Sequence, residues 1–169
     1  MRLRDATLDD VDVLEALVRE RGGFNDFGQA PSPVDRAALA LGPLRSEDKG
    51  LLLIERVDNG RPVGTVSWRQ ARYGPNSESA CWNFGIELVR EARGQGLGTE
   101  AQALLVDYLF ATTTVNRVEA STDIENVAEQ RALEKAGLRR EGVIRGSQFR
   151  AGRYHDLVQF AVVRGDTRE

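Results

Sequence analysis

The chain reads as an α/β protein, an α+β mixed sheet flanked by helices. Three observations predict this. Two β-rich apolar runs flank Asp58-Asn59-Gly60, a strong hairpin signal. Two stretches of helical periodicity, opening near Leu97 and near Asn126, alternate with further strand-like runs. A last pair of strand-like runs surrounds Ala151-Gly152. The 169 residues are 41% hydrophobic, enough for one core, and no linker, repeat or low-complexity tract divides them. Residues 1–169 are therefore expected to form a single domain.

"RLRDAT" alternates Leu3 with charged neighbours and predicts a short first strand. Thr7 or Asp9 can cap a helix through "LDDVDVLEALVRER", where Val11, Leu14, Leu17 and Val18 recur at helical spacing. "RGGFNDFGQAPSP" breaks that pattern and predicts a long loop, then a short helix in "VDRAALALGPL". The hairpin "GLLLIERVDNGRPVGTVSWRQARY" follows, and "GPNSES" is a turn. "ACWNFGIELV" is nearly continuous in apolar character, which predicts a strand buried on both faces. In the next helix Ala101, Leu104, Leu105, Tyr108 and Leu109 form one apolar stripe. "NRVEAST" is a fifth strand, and "NVAEQRALEKAGL" a helix stopped by Gly137. "EGVIRGSQFRAGRYHDLVQFAVVR" closes the chain as two strands.

The formal net charge is −3, and no block of Lys or Arg supplies the basic face that nucleic acid requires. The acidic balance suits an amine substrate and ordinary surface charge alike. With Cys81 and His155 each alone in their kind, no disulfide framework and no cysteine or multi-histidine metal site is expected. The first residues carry no apolar signal core, and no apolar run reaches the ~18 residues of a membrane span. A cytoplasmic protein without membrane partners is expected.

"VREARGQGLGTEA" places three glycines in a short turn before a helix. Successive N–H groups in such a turn can converge on one anion, and the helix adds unpaired N–H groups and its positive end. Glycine lets the backbone approach and permits positive φ. The alternative is a turn whose glycines only permit close packing. The stretch is not a phosphate-binding loop of the Gly-Lys-Ser/Thr kind. Residues 96–101 do match the dinucleotide pattern G-x-G-x-x-G/A, with Glu119 downstream for a ribose. Against a nicotinamide cofactor, "REAR" separates the apolar strand from the first glycine, and too little chain follows for a second βαβ half.

"RGQGLG" matches the R/Q-x-x-G-x-G/A signature of the GNAT superfamily of acyl-CoA-dependent N-acetyltransferases. The stretches "WNFGIELVREARGQGLGTEAQALLVDYLF" and "NRVEASTDIENVAEQRALEKAGLRREGVIR" resemble its RimJ/RimL-type branch. The resemblance covers roughly residues 50 to 163 and is weaker before them. It implies a GNAT fold with a splayed central sheet, and acetyl-CoA as cofactor. It implies that the pyrophosphate rests on Arg93, Gly94, Gln95, Gly96, Leu97, Gly98 and Thr99. The pantetheine arm would bond the backbone of Ile86 and Leu88. Asn126 would contact the pantetheine or cap the next helix. Arg131 and Lys135 on that helix would reach phosphates or lie on a solvated face.

The implied chemistry is direct attack of a neutral amine on the thioester, with a base for the ammonium and an acid for the departing thiolate. Here the chain departs from its relatives. The N-x-x-S serine is replaced by Glu129, the helix tyrosine by Leu133, and a glutamate in strand four by Asn83. Asn83 and Ser121 are the best-placed polar candidates by family position. Glu119, Ser121 and Asp123 share a strand face. Glu129 reads as a catalytic group or as the capping-box partner of Asn126. His155 and Tyr154 read as catalytic or structural, Cys81 as core, and Trp68 and Trp82 as packing or as walls of an acceptor pocket. The acceptor is sought beside "GGFNDFGQAPSP", with Phe24 and Phe27 lining it and Glu20 or Asp26 receiving the ammonium.

The reading is therefore transfer of acetyl to a primary amine, on a protein N-terminus or on a small molecule such as an amino acid, polyamine or antibiotic. A catalytically silent acyl-CoA-binding or regulatory module is the alternative. The acyl length stays open, and a homodimer is compatible with the family.

Overall fold

The computed structural model describes residues 1–20, 22–28 and 33–166. The loop expected over residues 21–33 therefore lies partly outside the described residues, at 21 and 29–32. In chain order the elements are β1 (Arg2–Arg4), α1 (Val11–Arg19), α2 (Arg36–Leu41), β2 (Lys49–Glu55), β3 (Pro62–Arg72) and β4 (Ala80–Leu88). Then come α3 (Leu97–Thr112), β5 (Arg117–Asp123), α4 (Val127–Lys135), β6 (Arg139–Arg150) and β7 (Arg153–Val163). The strands form one seven-stranded sheet in the order β1-β2-β3-β4-β5-β7-β6. Only the β4–β5 pairing is parallel.

The first strand is shorter than expected because polar capping begins at once. Asp10 accepts from Thr7 N (2.8 Å) and Thr7 Oγ1 (3.0 Å), closing a turn over Leu8–Asp10 before α1 starts. Arg4 clamps the same carboxylate through two bonds of 2.7 Å and also meets Glu55 of β2. At the other end, α4 stops where Gly137 takes φ 92°, with Gly137 N bonding Glu134 O and Leu138 N bonding Leu133 O. That pair of bonds is a Schellman closure, as the glycine led one to expect.

Side chains on β2 alternate between two apolar clusters. Leu53 joins Leu14 of α1 and Leu39 of α2, whereas Leu52 and Ile54 join Leu105, Leu109 and Leu133 of α3 and α4. Successive strand residues face opposite ways, so helices cover both faces. The buried stripe of α3 is rotated from the one expected. Ala101, Leu105 and Leu109 are buried, but Gln102 and Val106 complete the stripe while Leu104 and Tyr108 are half-exposed. β4 is buried at Ala80–Cys81–Trp82 and Phe84 but opens from Gly85 onward, so it is not covered on both faces. No helix among the described residues is long and apolar enough to cross a membrane.

Phe160 of β7 is fully buried at the centre of the larger cluster. Phe160→Ala should cost about 3–5 kcal/mol, because the cavity it leaves adds to the lost transfer energy. Urea denaturation should show a lower midpoint with an unchanged slope.

Candidate active site

β4 and β5 are paired at only two positions, Trp82 with Val118 and Asn83 with Glu119. Beyond them β4 stays with β3 as far as Leu88, and β5 stays with β7 as far as Asp123. The strands part, and a cleft of about 1460 Å³ opens there. Ile86 and Leu88 line it, and their side chains also pack against the core. Gly98 sits close behind them: a Cβ there would lie 3.5 Å from Leu88 Cδ1 and 3.8 Å from Ile86 Cδ1.

The glycine-rich turn closes one end of the cleft. Gly94 and Gly96 have φ of 73° and 78°, which L side chains rarely adopt, and Gly96 is the residue before α3. The first α3 bond is Glu100 N to Gly96 O (3.2 Å). The backbone N–H groups of residues 94–99 have no hydrogen-bond acceptor among the described residues. Of this stretch Gly94, Gly96, Gly98 and Thr99 line the cleft, whereas Gln95 and Leu97, expected there from the sequence, do not; donors at the positive end of a 16-residue helix suit an anion. Thr99 lines the same space, and Arg131 and Lys135 face it from α4, both exposed. Two signature side chains are engaged elsewhere. Arg93 Nε donates to Leu88 O (2.9 Å), and Gln95 Nε2 donates to Glu91 O (2.5 Å). Their contribution is to fix the turn.

The polar candidates meet where the strands part. Asn83 Nδ2 donates to Glu119 Oε1 (3.3 Å), and both Asn83 and Ser121 line the cleft. Glu119 is buried and also accepts from Tyr73 Oη and Arg117 Nε, each at 2.8 Å. It does not line the cleft. Asn126 caps α4, with Oδ1 accepting from Glu129 N (3.3 Å), while its Nδ2 donates to Thr122 Oγ1 (3.0 Å). Glu129 does not turn back to complete a capping box. Its carboxylate accepts from Gln102 Nε2 (2.7 Å), across the α3–α4 contact, and it lines the cleft. Burial raises the Glu129 pKa, opposed by the Gln102 hydrogen bond.

On the other side, Phe24 and Phe27 line the cleft as expected, both exposed. Glu20 lines it too, but its Oε2 accepts from Arg90 N (2.7 Å). Asp26 does not line it; it accepts from Gly28 N (3.0 Å) in a local turn. Trp82 is corrected from pocket wall to core: it is buried in the larger cluster, with Nε1 donating to Thr113 Oγ1 (3.2 Å). Trp68 lines the cleft while packing edge-on to Tyr108 at 5.7 Å. Cys81 is buried, and burial pushes its thiol up to about 11, far from a nucleophile's range.

Sequence reasoning missed Arg150. It is buried and pairs with Asp123, and its Nη1 donates to Gly23 O (3.0 Å), fastening the segment that carries Phe24. His155 completes this cluster. Its Nδ1 lies 3.0 Å from both Asp123 Oδ2 and Arg150 Nη2, and its Nε2 lies 3.2 Å from Arg150 O. These contacts make His155 a structural member rather than an open base. Gln102 was missed as well, although a glutamine inside an apolar stripe was a visible signal.

Removing one partner of a buried pair strands the other charge. Arg150→Met should therefore lower stability by about 3–5 kcal/mol, and adding Asp123→Asn should recover part of the loss; urea midpoints of the single and double variants measure both. Glu129 gives a pH signature. Its folded pKa stands above the ordinary value of 4.5. The folded state holds that proton more tightly, so stability falls as pH rises from about 4.5 through the raised value. The stability of Glu129→Gln relative to the parent should increase as pH rises from about 4.5 through the raised value. A pH-independent difference in urea midpoints would refute this.

The family model described as "Acetyltransferase (GNAT) domain" matches residues 1–139. Among curated proteins, the probable N-acetyltransferase YjcK of Bacillus subtilis is 33% identical over 109 residues, 64% of this chain and 59% of YjcK. The chain thus spans less than two thirds of that relative's length. Among solved structures, the spermidine N-acetyltransferase of Vibrio cholerae in complex with CoA and spermine superposes with a TM-score of 0.78 at 19% identity, covering 96% of this chain and 94% of that one. The ribosomal-protein-alanine N-acetyltransferase of Brucella melitensis gives 0.74 at 19% identity, covering 97% and 100%. At such identities the solved structures speak for the fold, and the family match does the rest: the chain belongs to the GNAT acetyltransferase family.

Proposed function

We propose that the chain is an acetyl-CoA-dependent N-acetyltransferase acting on a primary amine. The observation that carries this reading is the glycine-rich turn, with Gly94, Gly96, Gly98 and Thr99 lining the cleft at the start of α3, beside a splayed sheet. A pyrophosphate is the group that such a turn suits, and Arg131 and Lys135 across the cleft suit further phosphate. The parted edge of β4 suits an amide-bearing arm laid beside Ile86 and Leu88. The Arg93 bond to Leu88 O has to yield or share if that carbonyl is used.

Bound acetyl-CoA supplies a thioester carbonyl open to attack by a neutral amine. The ammonium has to lose one proton and the departing thiolate has to gain one. The Asn83 amide is oriented by its Nδ2 bond to Glu119, which leaves Oδ1 to accept a hydrogen bond from the incoming ammonium while the proton itself passes to solvent water. Ser121 faces the same space from β5. Glu129 is assigned as the group that returns a proton to the departing thiolate, on its place in the cleft and the Gln102 bond that holds its carboxyl; burial raises its pKa. This assigns an acid to the position where the family resemblance leads one to expect serine. The acceptor is a small amine, as in the spermidine enzyme, or a protein N-terminus, as in the ribosomal-protein enzyme.

Calorimetric titration with acetyl-CoA, CoA and NAD tests the reading, with Gly96→Trp as the blocked-turn control. Acetyl-CoA and CoA should bind and NAD should not, and the variant should bind at least ~100-fold more weakly, since its side chain fills the cradle and strains a positive φ. Binding without thiol release to any amine would favour the silent module. Absence of CoA binding by folded protein would remove the cofactor assignment.

A further inference from the structure

The cleft carries a second concentration of charge, far from the glycine turn. Lys49 of β2 lies directly opposite Arg69 of β3, and Arg69 lies opposite Asn83 of β4. Residues directly opposite on neighbouring strands share a face, so the three side chains form one row across the sheet. All three line the cleft, and both cations are exposed. Like charges placed opposite each other destabilise a strand pair. No ion pair among the described residues includes Lys49 or Arg69.

The acids nearby are otherwise engaged. Asp123 is held by Arg150 and His155, Glu20 by Arg90 N, and Glu87 has an interaction of its own. Asp48, the neighbour in sequence, accepts from Ser46 Oγ (2.5 Å) and does not line the cleft; it meets Lys49 through charge alone, as the last and smallest influence on its carboxylate, without an ion pair. Nor do the two cations belong to the phosphate end. The turn follows Leu88, which pairs with Gly64, five residues from Arg69 along β3. At ~3.3 Å per residue that is a separation of about 16 Å.

We propose that Lys49 and Arg69 form a subsite for a carboxylate on the acceptor, so that the amine acetylated is one that carries an acid group and not a polyamine. The inference rests on the acetyl-transfer reading, which puts the amine beside Asn83. Strands are spaced ~4.8 Å apart, so an amine at Asn83 and a carboxylate at β3 or β2 are separated by about 5–10 Å. A short ω-amino acid spans this distance, and so does a peptide amino terminus followed by an acidic side chain.

The test uses three chain-matched amines, δ-aminovalerate, pentylamine and cadaverine, with thiol release from acetyl-CoA as the readout. δ-Aminovalerate should be favoured in kcat/KM over pentylamine by about tenfold, with cadaverine the poorest. The Lys49→Gln, Arg69→Gln double variant should abolish that preference through a higher KM for the acid. A tripeptide pair with Asp or Asn in second position separates the sources: an Asp preference larger than that of δ-aminovalerate assigns the subsite to peptides. Preference for cadaverine, or a preference for the acid that survives the double variant, overturns the subsite.

Binding of the matched products to the CoA-loaded protein supplies a readout free of chemistry. N-Acetyl-δ-aminovalerate should bind more tightly than N-pentylacetamide, and the double variant should equalise them. That result in a protein that turns over no amine would keep the subsite and discard acetyl transfer. Equal binding to the unmodified protein would discard the subsite.

Discussion

β4 and β5 are each held along their length by an outer neighbour and by each other at only two positions. The rest of the molecule depends on this unequal pairing. Pairing with β3 fixes β4 from Ala80 to Leu88, and pairing with β7 fixes β5 from Arg117 to Asp123. Neither can lean inward without giving up ladder bonds on its far side. Unpaired strand edges inside a sheet are costly unless something meets them. The sheet therefore carries in its middle the recognition surface that other sheets carry only at their margins.

The polar residues are arranged to keep that opening in place. Below the split, Glu119 gathers Tyr73, Arg117 and Asn83, joining β3's end, β5 and β4 at one carboxylate. At the far end of β5, Asp123 gathers Arg150 and His155 and, through Arg150, the segment at Gly23. Two buried acids on the same strand face thus anchor the two ends of the cleft's β5 wall. Such groups are poor sources of net stability but define one arrangement sharply, since any slip leaves a charge unpaired.

What was legible in the sequence follows from how local each signal is. The Asp58-Asn59-Gly60 hairpin, the Gly137 closure and the Gly94–Gly96 turn are written in consecutive residues, and each is present in the structure. The stripe of α3 is rotated toward Gln102, whose partner Glu129 lies 27 positions away and so leaves no local signal. Arg150 and Asp123 are separated by the same span, and no periodicity announces their contact. Trp82 and Asp26 failed for a related reason. Residue type suggested a pocket role for both, but Trp82 lies where β4 and β5 are still paired and packs into the core, and a two-residue turn satisfied the aspartate. The splay of the strands was available only through family resemblance, since neither strand's composition distinguishes a paired edge from an open one.

The two halves of the cleft differ in what they are made of, and this bears on how substrate choice can vary. The end proposed for phosphate is backbone: the glycine-rich turn before α3 and the parted edge of β4. Backbone recognition constrains sequence mainly through glycine, so it is a matter of shape and is not retuned by a single side chain. The acceptor end is side chains on one face of β2 to β5, where each residue contributes a separate head group to the floor. A substitution there changes charge without disturbing the ladder that carries it. The Lys49–Arg69 pair shows the consequence: the scaffold tolerates two like charges side by side because each is exposed and the strands are held by other bonds. Cofactor recognition and acceptor recognition are thus written in different chemical languages on the same strands, and only the second is free to drift.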